Sequence, residues 1–408
     1  MKDFTFSVPQ NIVVGKGSLG KLPELSKELG GTHGFIISGP HLNKMGIVAS
    51  CAESLEKAGI KVDAFTETEG NPSVETVDKA TKAFKESGAD FIIALGGGSP
   101  MDVAKAVGVV AKYGGSITEY EGGGKVPGDI VPLIAIPTTA GTGSEVTAFS
   151  VITDHSRNYK LTVFSYKLIP SYAILDANLI TTAPVSVAAA CGIDAMVHAL
   201  EAYISKDASP FSDAMAEKAL ELIGKNIRSY VADRTNVEAA EGMLVGSLFA
   251  GIAFSWARLG DVHAMSHPVS AFFNVPHGVA NAILLPTIVE YNGLADNGKY
   301  AKIYNYIAKT PIDVLEFEPF MLVELLRELN EELGIPAGLA EVGVTEDKFD
   351  AMAEDAMKSG NIAVNPRSTT KEDVLMLYKK ALEWSRKLGT KMMNKNSFYI
   401  KSKKCAHY

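Results

Sequence analysis

Residues 94–107 read ALGGGSPMDVAKAV. The run that leads into them, DFIIAL (90–95), is short and apolar, the pattern of a fully buried strand. Three glycines interrupt it, and a helix-like stretch follows from about Ser99 to Tyr113. Strand, glycine turn and helix in that order describe an α/β unit whose turn lets a ligand come close to the backbone. With Ser99 as cap and Pro100 in the first turn, the helix start offers free N–H groups and a positive dipole end, which suits a pyrophosphate. The stretch is neither G-x-G-x-x-G nor a Walker loop with its closing lysine. The plainer alternative is a tight turn with no ligand, and three consecutive glycines after a buried strand speak against it.

The surrounding chain repeats the unit. GFIIS (34–38), KVDAF (61–65) and PLIAIP (132–137) read as strands, with 46–59 and 73–87 as helices between them. This alternation predicts a parallel sheet with helices on its faces. A second loop, PTTAGTGSEVT (137–147), follows the last of these strands and offers Thr138, Thr139, Thr142 and Ser144 to phosphate, ribose or nicotinamide. Past about residue 185 the character changes. The stretches 186–205, 211–231, 236–257, 279–291, 314–333 and 371–386 are rich in alanine, leucine and charge. The expected organisation is an α/β dinucleotide-binding domain over residues 1–184 and an all-α domain over 185–408. The basic tail from about residue 388 is expected to be frayed.

Composition narrows the function. A chain of 408 residues with a net charge of −8 lacks the basic footprint that nucleic acid or an anionic membrane surface requires. No unbroken apolar run of about 18 residues marks a spanning helix. The N-terminus, MKDFTFSVPQ, lacks a signal-peptide layout. Cys51, Cys191 and Cys405 show no pairing motif, which suits a reducing compartment. The expectation is a soluble cytoplasmic protein that acts on a small molecule.

Three of the eight histidines fall in HAMSHPVSAFFNVPHGVAN (263–281): His263, His267 and His277. Asp194 and His198, in CGIDAMVHALEAYIS (191–205), sit four apart and share a helix face. His263 and His267 repeat that spacing in a segment expected to be helical until Pro268, and His277 is placed to head the next helix. One carboxylate with three or four imidazoles is a ligand set for Zn²⁺ or Fe²⁺. A lone pair of this kind is more often a hydrogen-bonded core feature. Two pairs and His277, after a dinucleotide-like half, favour a metal. The residues leave open which of His267 and His277 is the last ligand.

With these motifs on the page, the chain resembles the iron-dependent (group III) alcohol dehydrogenase family from about residue 5 to 385. The matching stretches are GGGSPMDVAKAV, IPTTAGTGSEVT, KLIPSYAILDANL, GIDAMVHALEAYIS, VHAMSHPVSAFFNVPHGVANAILLP and NPRSTTKEDV. The resemblance implies the dehydroquinate synthase-like fold of iron-containing alcohol dehydrogenases, with the active site in the cleft between the two halves. It implies metal ligands at Asp194, His198, His263 and His277, and a proton-relaying or pocket-lining role for His267. It places the pyrophosphate at Gly97, Gly98 and Ser99, and other cofactor contacts at Asn71, Asp102, Thr138, Thr139, Thr142 and Lys160. Without the resemblance, Asp102 and Lys160 read as ordinary surface charges. The implied metal is Fe²⁺, with Zn²⁺ suited to the same ligands, and a homo-oligomer, often a dimer, is implied as well. The implied reaction moves a hydride between NAD(P)(H) and a short-chain primary alcohol or aldehyde while the metal polarises the substrate oxygen.

One departure bears on the cofactor. Where NAD-preferring relatives carry an aspartate after the first Rossmann-type strand, FIISGPHLNKMG has Gly39. No carboxylate repels a 2′-phosphate there, and His41, Asn43 and Lys44 follow closely, so NADP(H) is favoured over NAD(H). Phe149, Val151, Phe254 and Phe272 are expected to line an apolar substrate pocket. The alternative within the superfamily is a glycerol- or diol-specific polyol dehydrogenase. A dehydroquinate-synthase-like lyase matches less well, and a metallo-phosphohydrolase or a metal-binding module leaves the glycine- and hydroxyl-rich loops without a role.

Overall fold

The computed structural model describes residues 6, 8, 10–157 and 159–382. Expectations for the tail from about residue 388, and for Cys405, lie outside the described residues. Six strands form one sheet: β1 (Asn11–Val14), β2 (His33–Ile37), β3 (Lys61–Phe65), β4 (Phe91–Gly96), β6 (Leu133–Pro137) and β9 (Tyr172–Leu175). Their order is β1-β9-β6-β4-β2-β3 and every pairing is parallel. The remaining strands, β5 (Gly122–Gly123), β7 (Phe149–Asp154) and β8 (Tyr159–Phe164), make a small second sheet around the antiparallel β7–β8 hairpin. This hairpin was not among the expected elements.

Every residue of β4 and β6 is buried, as a parallel sheet covered on both faces demands. Strand alternation divides the side chains. Phe35, Ile37, Ile92 and Ala94 enter one apolar core, and Ile36, Ile93 and Leu95 enter the other. The covering helices are α1 (Leu22–Glu28), α2 (Pro40–Lys44), α3 (Ile47–Lys57), α4 (Val74–Ser87) and α5 (Gly98–Tyr113). The chain runs from β2 out to β3, then returns to β4 on the other side of β2. Strand order therefore reverses between β2 and β4, and open α/β sheets bind ligands at the carboxyl ends of such a pair. Gly39 ends the first and the glycine turn ends the second. The α5 cap is Gly97, with no side-chain hydrogen bond, and not Ser99 as expected. The triple glycine lets the helix start one residue early, so Ser99 already lies within its first turn.

From Val185 on, the described residues carry helices and no strand: α6 (Val185–Ile204), α7 (Pro210–Ala232), α8 (Val237–Ala257), α9 (Asp261–Phe273), α10 (His277–Asn292), α11 (Lys299–Ile307), α12 (Pro319–Glu332), α13 (Phe349–Lys358) and α14 over residues 371–382. Both α6 and α8 are long and apolar enough to cross a bilayer, but most of each is buried against neighbouring helices in the largest core. The expected helix end at Pro268 is corrected. Helix α9 runs through this proline to Phe273, and the chain turns at Asn274, which takes a left-handed φ of 54°. Proline removes one helical hydrogen bond, yet Pro268 and Val269 are both buried, so packing holds the helix through the defect.

Candidate metal and cofactor site

Helix α6 is apolar and buried along most of its length, so its polar residues stand out. Asp194 and His198, one turn apart, are 3% and 4% exposed. Asp194 Oδ1 lies 4.0 Å from His198 Nε2 and 3.8 Å from both His263 Nε2 and His277 Nε2. The four ligand atoms lie within 4.8 Å of one another. Helix α9 supplies His263, and the first residue of α10 is His277.

Hydrogen bonds on the far side of two rings turn Nε2 inward. His198 Nδ1 is 3.3 Å from the Gly141 carbonyl, and His263 Nδ1 is 2.6 Å from Glu201 Oε2. Glu201 was not among the expected residues. Its other oxygen accepts from the Val262 N–H at 2.7 Å, and burial pushes its carboxyl up to about 7. Burial holds the His263 imidazole well below its ordinary value, and His198 adds to that, so His263 is neutral with its lone pair free at Nε2.

Asn281, also unexpected, tests whether the group suits a cation. Its Nδ2 lies 2.6 Å from Asp194 Oδ1, 3.1 Å from His263 Nε2 and 3.2 Å from His277 Nε2. One amide has two hydrogens for these three atoms, of which Asp194 Oδ1 and His263 Nε2 are buried, so it does not satisfy all of them when both rings present lone pairs. A divalent ion taking the carboxylate and the imidazole lone pairs relieves the shortage, and an Asp/His₃ donor set is a normal transition-metal one. The residues present fit the group that the sequence implies.

His267 lies outside the four-atom group. Its ring centroid is 5.3 Å from that of His277 and 6.1 Å from that of His263. Burial, then the charge on Lys160, holds it well below the ordinary imidazole value, so it is neutral near pH 7.

A cavity of about 690 Å³ joins this group to the loops at the sheet's carboxyl edge. His198, His263, His267 and His277 line it together with Asn71, Gly98, Ser99, Asp102 and Thr142, and Lys160 is close enough to His267 to act on it by charge. The two loops touch, since a methyl at Gly98 would stand 2.7 Å from Thr142 Cγ2. Gly39, Gly97, Thr138 and Thr139 are not in the lining. The last three shape the loops: Gly97 packs on Thr139, and the Thr138 N–H bonds to the Gly96 carbonyl at 3.0 Å. Phe149, Val151 and Phe254 line the cavity as expected. Phe272 does not, because it packs on the helical core instead.

Two family models match the chain. The model described as iron-containing alcohol dehydrogenase covers residues 9–177, and that of the C-terminal part of the Fe-containing alcohol dehydrogenase family covers 188–382. The chain is 37% identical to a 1,3-propanediol dehydrogenase of Citrobacter freundii, over 93% of its own length and 98% of that protein's. It is 36% identical to an NADPH-dependent butanol dehydrogenase of Clostridium saccharobutylicum, over 91% and 96%. The solved structure of a 1,3-propanediol oxidoreductase superposes with a TM-score of 0.89 at 36% identity, over 93% of this chain and all of that one. The chain belongs to the iron-containing alcohol dehydrogenase family. It is an alcohol dehydrogenase-type oxidoreductase. Relatives named for NAD and for NADPH both occur.

Within this dehydrogenase, Asp102 and Lys160 are not the surface charges that they resemble in sequence. Asp102 Oδ1 accepts from Ser144 Oγ at 3.0 Å, and burial pushes its carboxyl up to about 6. Lys160 Nζ donates to Asn71 Oδ1 at 2.7 Å, and burial pulls its ammonium down to about 8. Asn71 holds a left-handed φ of 55°, a conformation that asparagine tolerates better than most residues. Lys105, fully buried and also unexpected, donates to the carbonyls of Ser144, Thr147 and Phe149 at 2.7–2.9 Å. It ties the hydroxyl-rich loop to α5 and thereby fixes Ser144 beside Asp102.

Proposed function

We propose that this dehydrogenase interconverts a short-chain primary alcohol and its aldehyde, with a divalent ion held by Asp194, His198, His263 and His277. Fe²⁺ is the proposed ion, and Zn²⁺ suits the same ligands. When bound, the ion supplies Lewis acidity toward the substrate oxygen, and a nicotinamide cofactor supplies the hydride chemistry. Asp194 offsets part of the ion's charge, while the neutral imidazoles leave it electrophilic. Glu201 holds the tautomer of His263. His267 faces the cavity as a neutral imidazole, placed to exchange a proton with a hydroxyl there. Gly97, Gly98 and Ser99, at the head of α5, receive the pyrophosphate. Asp102, Thr138, Thr139, Thr142, Lys160 and Asn71 shape the rest of the cofactor's bed.

NADP(H) is the preferred cofactor in this reading because the carboxyl end of β2 carries Gly39. Its backbone is extended there, at φ −99° and ψ 163°, so its conformation does not call for glycine, although a Cβ would stand 3.2 Å from the Thr68 carbonyl oxygen, and the residue present bears no carboxylate. The exposed His41, Asn43 and Lys44 follow on α2. The reading further takes the protein as a cytoplasmic homo-oligomer, with its domain boundary at residue 184.

The observation that supports the reading is one cavity lined both by three of the four convergent ligand residues, His198, His263 and His277, and by the glycine turn on a helix N-terminus. The test is oxidation of NADPH and, in parallel, NADH by protein loaded anaerobically with Fe²⁺ and given butanal. Turnover that is faster with NADPH and lost on chelation is expected. A faster rate with glycerol and NAD⁺ than with butanol would turn the reading to the polyol alternative.

A further inference from the structure

The cavity carries one residue that neither the metal group nor the cofactor loops use. Arg258 caps the C-terminus of α8 with φ 62° and ψ −172°. Among the described residues only Asn71, Arg258 and Asn274 combine a side chain with a positive φ, and two of them are asparagines, which tolerate it. An arginine in that conformation costs free energy, and such strain gathers where a side chain must be aimed. Arg258 is held by its N–H bond to the Phe254 carbonyl, 2.8 Å long. Its guanidinium reaches Gly360 through Nη2: a methyl there would stand 2.1 Å from that nitrogen.

Arg258, Ser359, Gly360 and Asn361 line the same cavity as His263 and His277. Among the described residues no carboxylate pairs with this guanidinium, while the neighbouring cation, Lys358, is already held by Asp355 at 2.7 Å. Arg258 is not part of the cofactor loops. It belongs to the α8–α9 turn, five residues before His263, whereas the phosphate-binding turn closes β4. One turn before Arg258, Phe254 stacks on the His198 ring at 4.5 Å and on Phe149 at 6.1 Å, giving the cavity an apolar wall.

A planar guanidinium that has no carboxylate partner among the described residues and shares a cavity with an apolar wall is a receptor for a planar or trigonal anion. We infer that the substrate carries an anionic group, a carboxylate or sulfonate, at the end remote from the reacting carbonyl, and that Arg258 binds it. This inference rests on the dehydrogenase reading above and narrows its substrate class to ω-anionic aldehydes and their alcohols.

The experiment compares kcat/KM for unbranched ω-oxo carboxylates of four to eight carbons with those for neutral aldehydes of the same lengths. At least one acid is expected to exceed its neutral partner by about 10- to 100-fold, the range of a charge-assisted pair. Arg258→Leu should collapse that ratio and Arg258→Lys should keep part of it. Thermal melting checks that both variants fold. Acids that are no better than neutral aldehydes, or a ratio that Arg258→Leu does not move, would overturn the inference while leaving the dehydrogenase intact. Absence of turnover with every aldehyde would sink both.

Discussion

A methyl group at Gly278 tests the proposed metal site through packing alone. Built on the backbone, it would stand 2.4 Å from the Ala190 carbonyl oxygen and 2.8 Å from its carbon. That oxygen is backbone of α6 and cannot swing aside. Ordinary contact requires α6 and α10 to part by about 1 Å at this point. Those helices carry three of the four ligands, Asp194 and His198 on one and His277 on the other. Asp194 Oδ1 and His277 Nε2 are now 3.8 Å apart. Parting the helices draws His277 Nε2 away from Asp194 Oδ1 and so lengthens a bond to an ion whose ordinary ligand distances are about 2.1 Å. Gly278→Ala should cost about 1–3 kcal/mol of apo-protein stability from overpacking and at least about tenfold in metal affinity. Gly20→Ala is the control, since nothing lies within 4 Å of its added methyl. The assays are chelator competition for Fe²⁺ or Zn²⁺ and thermal melting with and without metal. A Gly278→Ala protein that melts with the control and binds metal as tightly as wild type would refute the reasoning.

Three further outcomes follow from single contacts. Glu201→Gln presents an NH₂ to His263 Nδ1 if its oxygen keeps the Val262 N–H, which moves the ring proton to Nε2; metal affinity should fall about 10- to 100-fold, and a change under twofold by chelator competition would count against the orienting role. Gly39→Asp should lower the NADPH-to-NADH ratio of kcat/KM by about tenfold or more, through repulsion of a 2′-phosphate; an unmoved ratio removes the cofactor argument. Asp261 is fully buried, accepts from Thr369 Oγ1 at 2.6 Å, and burial pushes its carboxyl up to about 7. Because its folded value lies above the unfolded one, the folded state holds the proton more tightly, and stability is lost as pH rises from about 4 to about 7. Asp261→Asn should therefore gain on wild type as pH rises from ~4 to ~7 by denaturant midpoint, and a difference that is flat with pH would show that the carboxyl does not titrate in this way.

The parallel sheet was legible because its strands are buried on both faces and so read as unbroken apolar runs, FIIAL and LIAI among them. The β7–β8 hairpin was not expected, although its signal is present: FSVITD and YKLTVF alternate around a polar turn at 155–158. Pro268 misled for a physical reason. Proline costs a helix one hydrogen bond, a local price that buried neighbours outweigh and that no local rule reports. Lys105 was out of reach altogether. A lysine in an α5 stretch of alanine and valine reads as the solvated side of a helix. Only the loop carbonyls gathered from residues 144–149 make it an interior tie.

Glu201 is the instructive omission. It stands seven residues after Asp194 and three after His198, so all three share one stripe of α6. Elsewhere that helix reads as alanine, valine and leucine. A buried carboxylate is costly unless a partner meets it, and removing one member of such a pair strands the other. Two carboxylates and an imidazole on the buried stripe therefore imply at least as many polar partners on the helices that cover it. Those partners exist: the Val262 N–H and His263 on α9, and His277 and Asn281 on α10. The stripe would have led from Asp194 and His198 to Glu201 by spacing alone, and from Glu201 to the need for a donor on the neighbouring helix. What spacing cannot supply is which donor, because His263 and His267 lie one turn apart on α9. The covering geometry decides it by bringing His263 Nδ1, and not His267, to the Glu201 carboxylate.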